Sequence, residues 1–287
     1  MDSRSKILLL ILLGLFISIS VFSYLGYSTV SGASNPLNIS EWPMLGRSIN
    51  HTGVYPGNLS TNFSLLWTNI GYSNDAVFEL TIANGVVYAG TRTVSPFKLL
   101  AINSSTGLFI WNATINGSSE LISSTPEFSN GLVYVGSGTN KTLYAFNSSN
   151  GGVVWSFNTS GKVRAYPTIV GNVVYFGSRD NQMYALNAST GILIWNYSAS
   201  GVFSRIKPLV INDTLYSLSG DGIFYALNSS TGTHIWNFST GSFSNSATGI
   251  HRYPSANISN GIVYISGESN LTYALNATTG ATSGITQ

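Results

Sequence analysis

Cysteine is absent from this sequence of 287 residues, and charged residues are scarce. The lack of cysteine excludes disulfide bonds, thiolate metal sites and cysteine nucleophiles, but it does not indicate a compartment, because secreted proteins need not contain disulfides. Charged residues make up 8% of the chain, against about 25% in typical soluble proteins. The net charge is only +2, so the sequence predicts no binding to nucleic acid.

Residues capable of catalysis or metal binding are few and scattered. The three histidines, His51, His234 and His251, do not share the spacing of a zinc site. No nucleophile-elbow motif is present. The aspartates that could serve calcium do not form a dense carboxylate loop: Asp180, Asp213 and Asp221. We therefore predict no catalytic residue, no metal and no cofactor.

The N-terminus indicates export. Arg4 and Lys6 precede 20 uncharged residues, 7–26, in which Leu and Ile dominate the first half. As a hydrophobic helix this stretch would span a bilayer core of about 30 Å, with the N-terminus in the cytoplasm and the remaining chain outside. Residues 1–30 are predicted to be either a signal peptide or a membrane anchor, and residues 31–41 a linker.

One motif recurs along the chain and organises it. Its pattern is Ala-x-Asn, then Thr-Gly three residues after the Asn, then Trp four residues after the Gly. Copies run from Ala101 to Trp111, Ala145 to Trp155, Ala185 to Trp195 and Ala226 to Trp236, the second with Asn150 in place of the Thr. A fifth copy begins at Ala274 and has Gly284 in place of the Trp. We expect each Trp to pack on the neighbouring repeat, where the Gly lets the indole approach the backbone.

Each repeat also contains a Val-Tyr or Leu-Tyr strand, and in most repeats this strand follows an Asn-Gly or Gly-Asn turn. The tyrosines are 41 to 48 residues apart: Tyr88, Tyr134, Tyr175, Tyr216 and Tyr264. Repeats two to five have a proline in a short upstream strand: Pro126, Pro167, Pro208 and Pro254. Four strands per repeat of this length predict an all-β fold, a β-propeller of four-stranded blades.

The Ala-x-Asn-x-x-Thr-Gly-x-x-x-Trp repeat resembles the tryptophan-docking motif of pyrroloquinoline-quinone (PQQ) repeat proteins. That family includes quinoprotein alcohol dehydrogenases and a propeller lipoprotein that assists outer-membrane protein assembly. The resemblance covers about residues 42–284, and it implies a PQQ-like β-propeller over residues 42–287. The docking positions are Trp67, Trp111, Trp155, Trp195 and Trp236.

The position of Trp67 suggests how the ring closes. It precedes Trp111 by one repeat length, so Ser64–Ile70 should be the fourth strand of a blade. The fifth repeat is expected to lack its own fourth strand, which the N-terminal strand would supply. This reading gives five blades closed without exposed edges. The alternative is part of a larger propeller of about eight blades, the number common in the family.

Asn-x-Ser/Thr sequons are more frequent than chance predicts. Most of the 28 asparagines lie in sequons, and five occupy the motif position where the family usually has Asp. We interpret the excess as a glycan coat that hydrates a surface poor in charge, as in an archaeal-like cell-surface glycoprotein; plain turn chemistry is the alternative. The predicted glycosylation sites are Asn38, Asn50, Asn58, Asn62, Asn103, Asn112, Asn116, Asn140, Asn147, Asn158, Asn187, Asn196, Asn212, Asn228, Asn237, Asn257, Asn270 and Asn276.

Basic residues gather near the blade prolines. Arg164, Arg205, Lys207 and Arg252 lie one to three residues before a proline, where they would ring one mouth of the central channel. Together they could hold an anion such as a carboxylate or a sulfated sugar. The alternative is that they pair locally or face solvent; the acidic partners considered are Glu79, Glu120, Glu127 and Asp180.

The leading functional prediction is a non-enzymatic, exported, cell-surface propeller that serves as a scaffold or binding module for protein or glycan. The membrane is a further partner if the N-terminal segment is not cleaved. The resemblance implies two alternatives, a PQQ-dependent extracellular oxidoreductase and an outer-membrane assembly factor. The first is weakened because this chain lacks the adjacent cysteines and acidic cluster of those enzymes, and the second because it lacks a lipobox cysteine.

Overall fold

A computed structural model describes residues 41–42, 66–67, 77–91, 97–115, 124–164, 166–204, 207–241, 256–266 and 271–286. All of them belong to one compact unit, residues 39–52 with 66–287. No helix in these ranges is long and apolar enough to cross a membrane. The predicted N-terminal hydrophobic helix and most of the linker lie outside the described residues.

The described strands form five antiparallel sheets, named blades 1 to 5, in which each strand pairs with the next along the chain. Blade 1 contains β1 (Glu41–Trp42), β2 (Val77–Ala83), β3 (Val86–Thr91), β4 (Phe97–Asn103) and β5 (Phe109–Ile115). Blade 2 contains β6 (Glu127–Ser129), β7 (Leu132–Ser137), β8 (Thr142–Asn147) and β9 (Val153–Asn158). Blade 3 contains β10 (Thr168–Val170), β11 (Val173–Gly177), β12 (Gln182–Asn187) and β13 (Leu193–Ser198).

Blade 4 contains β14 (Leu209–Ile211), β15 (Thr214–Leu218), β16 (Ile223–Asn228) and β17 (His234–Ser239). Blade 5 contains β18 (Ala256–Ser259), β19 (Ile262–Ser266), β20 (Thr272–Asn276) and β21 (Thr282–Thr286). The first strand of blades 2, 3 and 4 begins directly after Pro126, Pro167 and Pro208, where no ladder donor is lost. Blades 2 to 5 have four strands each, and blade 1 has the short β1 as a fifth, so the sheets confirm the prediction of an all-β propeller built from four-stranded blades.

The strand register aligns the repeated residues in one row across each blade. In blade 3, Tyr175 pairs with Ala185, and Ala185 pairs with Trp195. Paired residues point to the same face of a sheet, so the small Ala separates two rings. The same row recurs in the other blades: Tyr88–Ala101–Trp111, Tyr134–Ala145–Trp155, Tyr216–Ala226–Trp236 and Tyr264–Ala274–Gly284.

The apolar core lies between blades rather than within them. Between blades 2 and 3, for example, Tyr134 and Trp155 pack with Val174, Phe176 and Leu186. Similar clusters join blades 1 and 2, blades 3 and 4, and blades 4 and 5. A blade buries its faces only against its neighbours, as expected for a repeat protein.

The predicted origin of the fourth strand in blade 5 was wrong. That strand is β21, from the repeat itself, and Gly284 pairs with Ala274 where the other blades have Trp. Backbone hydrogen bonds suffice to add this strand, because the ladder needs no side chain at the Trp position. Of the segment Ser64–Ile70, residues 66–67 are described and lie outside any strand.

Candidate functional site

Each docking tryptophan lies against the glycine of the next repeat. Gly191 has φ +72°, and a Cβ atom there would lie 2.7 Å from Cδ2 of Trp155. Trp111 meets Gly151, Trp195 meets Gly232 and Trp236 meets Gly280 in the same way. Trp67 meets Gly107 of blade 1 although it lies outside the described strands. The contact therefore demands glycine both for its backbone conformation and for the space it leaves.

The indole and the tyrosine of one blade share a single carbonyl acceptor in the next blade. Trp155 Nε1 donates to the carbonyl oxygen of Ala188 at 2.8 Å, and the Tyr134 hydroxyl donates to the same oxygen at 3.2 Å. Trp195 and Tyr175 share Ser229 O, and Trp236 and Tyr216 share Ala277 O. Trp111 donates to Ser148 O and Trp67 to Ser104 O, each at 2.8 Å. The spacing of the motif predicted the stacking but gave no sign of this shared acceptor.

Burial keeps the junction tyrosines protonated. It raises the pKa of Tyr134 to about 12, and it also raises the pKa of Tyr216, which a hydrogen bond with Thr214 partly offsets. A neutral phenol is a hydrogen-bond donor, which the carbonyl acceptors require. The motif is thus a packing and hydrogen-bonding device between blades, and its geometry assigns it no chemistry.

The structure places two of the four predicted basic residues. Lys207, at the entry to blade 4, donates from Nζ to Glu127 Oε1 of blade 2 at 2.5 Å. The side chains of Lys207 and Glu127 are only 5% and 1% exposed. Arg164 is half-buried before the first strand of blade 3, while Arg205 and Arg252 lie outside the described residues. The positive charge of Lys207 is therefore compensated within the protein, and anion binding by this set stays a prediction.

The position of Glu127 explains what the ion pair does. Thr81, Glu127 and Thr168 occupy the same register position, opposite the row tyrosine. The threonine hydroxyls donate to the proline carbonyl of the next blade: Thr81 to Pro126 O, and Thr168 to Pro208 O at 2.6 Å. Glu127 uses this linking position to reach Lys207, 80 residues away in the sequence. The pair joins blades 2 and 4, one blade beyond the reach of the threonines.

The aspartates considered for calcium serve turns instead. Asp180 Oδ2 accepts hydrogen bonds from the Ser160 amide at 2.9 Å and from the Tyr184 hydroxyl at 2.9 Å. Burial, followed by this hydrogen bond and the carboxylate charge, raises the pKa of Tyr184 well above its usual range. Burial alone would raise the pKa of Asp221, but hydrogen bonds from Ser200 and Ser219 outweigh it and lower that pKa. Across the described ranges, no three His, Asp or Glu side chains are grouped to hold a metal ion.

A cavity of about 490 Å³ lies between blades 3 and 4 at their hairpin turns. Val170 and Val210 form part of its apolar wall, and Tyr175 supplies a ring. Its only charged lining residue is Asp213, which has φ +61° at a turn position that is glycine in blades 1, 2 and 5. The volume is within the range of small-molecule sites, and the lining suits a hydroxyl-rich or cationic group.

Twelve of the eighteen sequon asparagines lie in described residues, and none of the twelve is buried. The exposed ones are Asn112, Asn158, Asn196, Asn212, Asn237 and Asn257. The half-buried ones are Asn103, Asn140, Asn147, Asn187, Asn228 and Asn276. The remaining six lie outside the described residues: Asn38, Asn50, Asn58, Asn62, Asn116 and Asn270.

The motif asparagines use one end of the side chain in a turn and leave the other end open. Asn187 Oδ1 accepts the Ser189 and Thr190 amides at 3.0 Å, an Asx turn that explains why a short polar residue stands here. No hydrogen bond from Nδ2, the atom that would carry a glycan, is found for the five motif asparagines within the described residues. Asn140 differs, since its Nδ2 donates to the Tyr144 hydroxyl at 2.9 Å.

The last strand of a blade, here called its outer strand, has exposed apolar side chains in it or directly before it, next to these sequons. Leu108 is 69% exposed, Ile192 67% and Val153 56%, and each lies just before the docking Trp of its repeat. In blades 1, 3 and 4 the residue directly after that Trp is an exposed sequon asparagine: Asn112, Asn196 and Asn237. The outer edge of a blade is thus apolar and carries an acceptor site at its centre.

The repeated strands and the docking row define the class of protein: a β-propeller with PQQ-like repeats. Residues 98–286 match the family model described as outer membrane protein assembly factor BamB. This match covers well over half of the sequence, so the chain belongs to that family of PQQ-like repeat proteins. No curated protein sequence matched significantly.

Solved structures show the same fold at low sequence identity. BamB from Moraxella catarrhalis is 22% identical, with a TM-score of 0.55 over 71% of this chain and 58% of that one. Quinohemoprotein alcohol dehydrogenase ADHIIG from Pseudomonas putida HK5 is 15% identical, with a TM-score of 0.67 over 86% of this chain and 48% of that one. The corresponding enzyme from Comamonas testosteroni is 15% identical, with a TM-score of 0.65 and coverages of 88% and 50%. The chain thus spans about half to three fifths of the length of these structures.

The residues of this chain do not fit the mode of PQQ binding that the family resemblance implies. There is no cysteine to form the adjacent pair, and the described part offers no acidic cluster for the accompanying metal. Two buried charges, Glu127 on the first strand of blade 2 and Lys207 just before the first strand of blade 4, are paired with each other. No reaction step through this cofactor is therefore assigned to these residues.

Proposed function

We propose that this protein is a non-enzymatic, glycosylated propeller of the cell surface that serves as a scaffold or binding module for protein or glycan. The observation that carries the proposal is the placement of the sequons: every described acceptor asparagine is at least partly exposed. Only 8% of the residues in the chain are charged. A coat of glycans on these asparagines would hydrate its surface instead.

The binding role is supported by the outer edges of the blades. Exposed apolar residues such as Leu108, Val153 and Ile192 are typical of surfaces that contact other molecules. The cavity beside Asp213 adds a concave site that would suit a sugar residue or an amine. Export through the segment 7–26 would bring these surfaces outside the cell, with or without a retained membrane anchor.

Glycopeptide mass spectrometry of the protein from its native host tests this proposal. We expect occupancy at the exposed outer-strand sites Asn112 and Asn237. Asn140, whose Nδ2 is engaged with Tyr144, should be occupied less and serves as the internal control. Asn237→Gln should remove one glycan mass without changing the fold, because the side chain is exposed. An unmodified chain would contradict the glycan part of the proposal, and the same spectra would show whether residues 1–30 are retained.

A second candidate function is an assembly factor, favoured by the family match over residues 98–286. It differs from the leading proposal in its partner, an outer-membrane protein in the course of assembly. Cross-linking in the native envelope separates the two, because an assembly factor should be recovered with nascent membrane proteins. The residues of this chain support an oxidoreductase less well than either of these functions. We therefore expect no dye-linked alcohol oxidation after reconstitution with PQQ and calcium.

A further inference from the structure

Side chains alternate between exposed and buried along the outer strand of blade 4. Ile235 is 45% exposed and Trp236 only 7%, and Asn237 is exposed again. Ser239, which completes the Asn237 sequon, is exposed as well. Alternate residues of a strand lie on the same side. The isoleucine, the acceptor asparagine and its serine therefore lie together on the solvent side, and the docking indole lies on the other.

Two further blades have the same arrangement. The counterparts, all exposed, are Ile110, Asn112 and Thr114 in blade 1 and Ile194, Asn196 and Ser198 in blade 3. Each asparagine is the fourth residue of its outer strand, of seven residues in blade 1 and of six in blades 3 and 4. The acceptor thus lies near the centre of the strand, two residues, or about 7 Å, from an exposed isoleucine.

These outer strands are also edge strands, since each lies at the end of the strand order of its sheet. Proteins protect edge strands with charged residues, Pro or bulges, because an unprotected edge can pair with other chains. The three outer strands contain no Asp, Glu, Lys, Arg or Pro, and each has one register shift beside its Trp. Blades 3 and 4 pack through both faces on described neighbours, and their outer strands are nevertheless exposed.

We propose that glycans on Asn112 and Asn237 lie on Ile110 and Ile235 and cover the outer strands of blades 1 and 4. This inference rests on the glycan coat proposed above and gives it a function at these two sites. A sugar ring has a face of C–H groups, which can remove the isoleucine side chain from water while the sugar hydroxyls stay hydrated. A bulky glycan at the centre of an edge strand also hinders pairing with another chain.

Asn196 has the same placement but differs in its hydrogen bonding. Its Nδ2 donates to Gln182 Oε1 at 2.9 Å, and Nδ2 is the atom that would carry the glycan. We therefore assign the covering function to Asn112 and Asn237 and not to Asn196.

Blade 2 offers a matched control within the same chain. Val154, at the position of the isoleucines, is 49% exposed, and Ser156 stands where the other blades have the acceptor asparagine. The sequon of this strand begins at Asn158, its last residue, which is two residues further from Val154. The outer strand of blade 2 therefore stays uncovered, which leaves it open for the binding role proposed above.

Hydroxyl-radical footprinting of the full-length protein from its native host tests the inference, because mass spectrometry reads side-chain oxidation and sequon occupancy together. We expect Ile235 to be oxidised about threefold more slowly in the native protein than in Asn237→Gln, since a covered side chain loses most of its contact with water. Val154 should be oxidised equally in both. Asn257→Gln is the control variant: it removes an exposed sequon on the first strand of blade 5 and should leave Ile235 unchanged.

A second variant moves the acceptor in blade 2. Ser156→Asn with Asn158→Ser gives this strand a sequon at the position that Asn237 has in blade 4. Both substituted residues are exposed, so the fold should be retained, which circular dichroism checks. We expect the added glycan to slow the oxidation of Val154 by about the same factor as at Ile235.

Occupancy and protection separate this inference from the proposed function. A glycan on Asn237 with Ile235 oxidised as fast as in Asn237→Gln would overturn the inference and leave the glycan coat standing. Unmodified Asn112 and Asn237 would overturn both. A glycan added in blade 2 that leaves Val154 unprotected would also contradict the covering contact.

Discussion

Blades 4 and 5 have the same strand pairing and differ in what covers them. Tyr216 pairs with Ala226 and Trp236, and Tyr264 pairs with Ala274 and Gly284. Yet Tyr216 is 4% exposed and Tyr264 is 43% exposed. The backbone ladder alone is therefore enough to form a blade, whereas in blade 4 the Tyr and Trp of the row also pack against the next blade.

The largest effect is expected from removing a docking indole. Trp195→Ala deletes a ring that is 7% exposed and should lower the free energy of unfolding by about 3–5 kcal/mol. Ile194→Ala, on the same strand and 47% exposed, should change it by less than about 0.5 kcal/mol. Denaturant titration measures both. Similar losses for the two variants would mean that Trp195 does not hold blades 3 and 4 together.

A comparable loss of unfolding free energy is expected when the Lys207–Glu127 ion pair is broken. This pair joins blades 2 and 4 and is not part of the repeated motif. Lys207→Ala leaves Glu127 buried and uncompensated, and should cost about 3–5 kcal/mol of unfolding free energy. The double variant Lys207→Met with Glu127→Leu removes both charges, so it should recover most of that loss. Denaturant titration of the three chains tests this. If the double variant is as unstable as Lys207→Ala, the pair does more than compensate charge.

A smaller difference in stability is expected between Ala substitutions at two glycines that have the same backbone conformation. Gly232 has φ +72° and lies against Trp195, while Gly261 has φ +74° and has nothing within 4 Å of an added Cβ. Substitution by Ala strains both positions, by roughly 1–2 kcal/mol. Gly232→Ala also forces a Cβ to within 2.6 Å of Trp195 Cε3, which should cost about 1–3 kcal/mol more. Thermal unfolding of the two variants should show this difference, and equal melting temperatures would contradict the docking contact.

The fold could be predicted from the sequence because its repeats are local. The distances from Ala to Thr-Gly to Trp fix two strands and one turn, and five copies of them fix the blades. The fourth strand of blade 5 was predicted wrongly because few residues follow Gly280 and because Gly284 stands where the other repeats have Trp, yet Thr282–Thr286 forms that strand. Backbone pairing does not need that side chain.

Only part of the contacts that hold the blades together could be predicted from the sequence. Glu127 is among the four acidic residues considered as partners of the basic set, but no local pattern relates it to Lys207, which is 80 residues away. The shared acceptors, such as Ala188 O, are backbone atoms whose neighbours a sequence does not show. The motif Asn was expected to point outward to a glycan, and the structure adds that its Oδ1 first closes a turn.

The most direct test of the difference between blades 4 and 5 is a pair of Tyr→Phe substitutions. Tyr216 donates to Ala277 O at 3.0 Å, and the Tyr264 hydroxyl has no such partner in the described residues. Tyr216→Phe should therefore lower the free energy of unfolding by about 1 kcal/mol, measured by denaturant titration. Tyr264→Phe should leave it unchanged within about 0.3 kcal/mol. Equal losses at the two positions would show that the Tyr264 hydroxyl also has a buried acceptor, which would contradict this account.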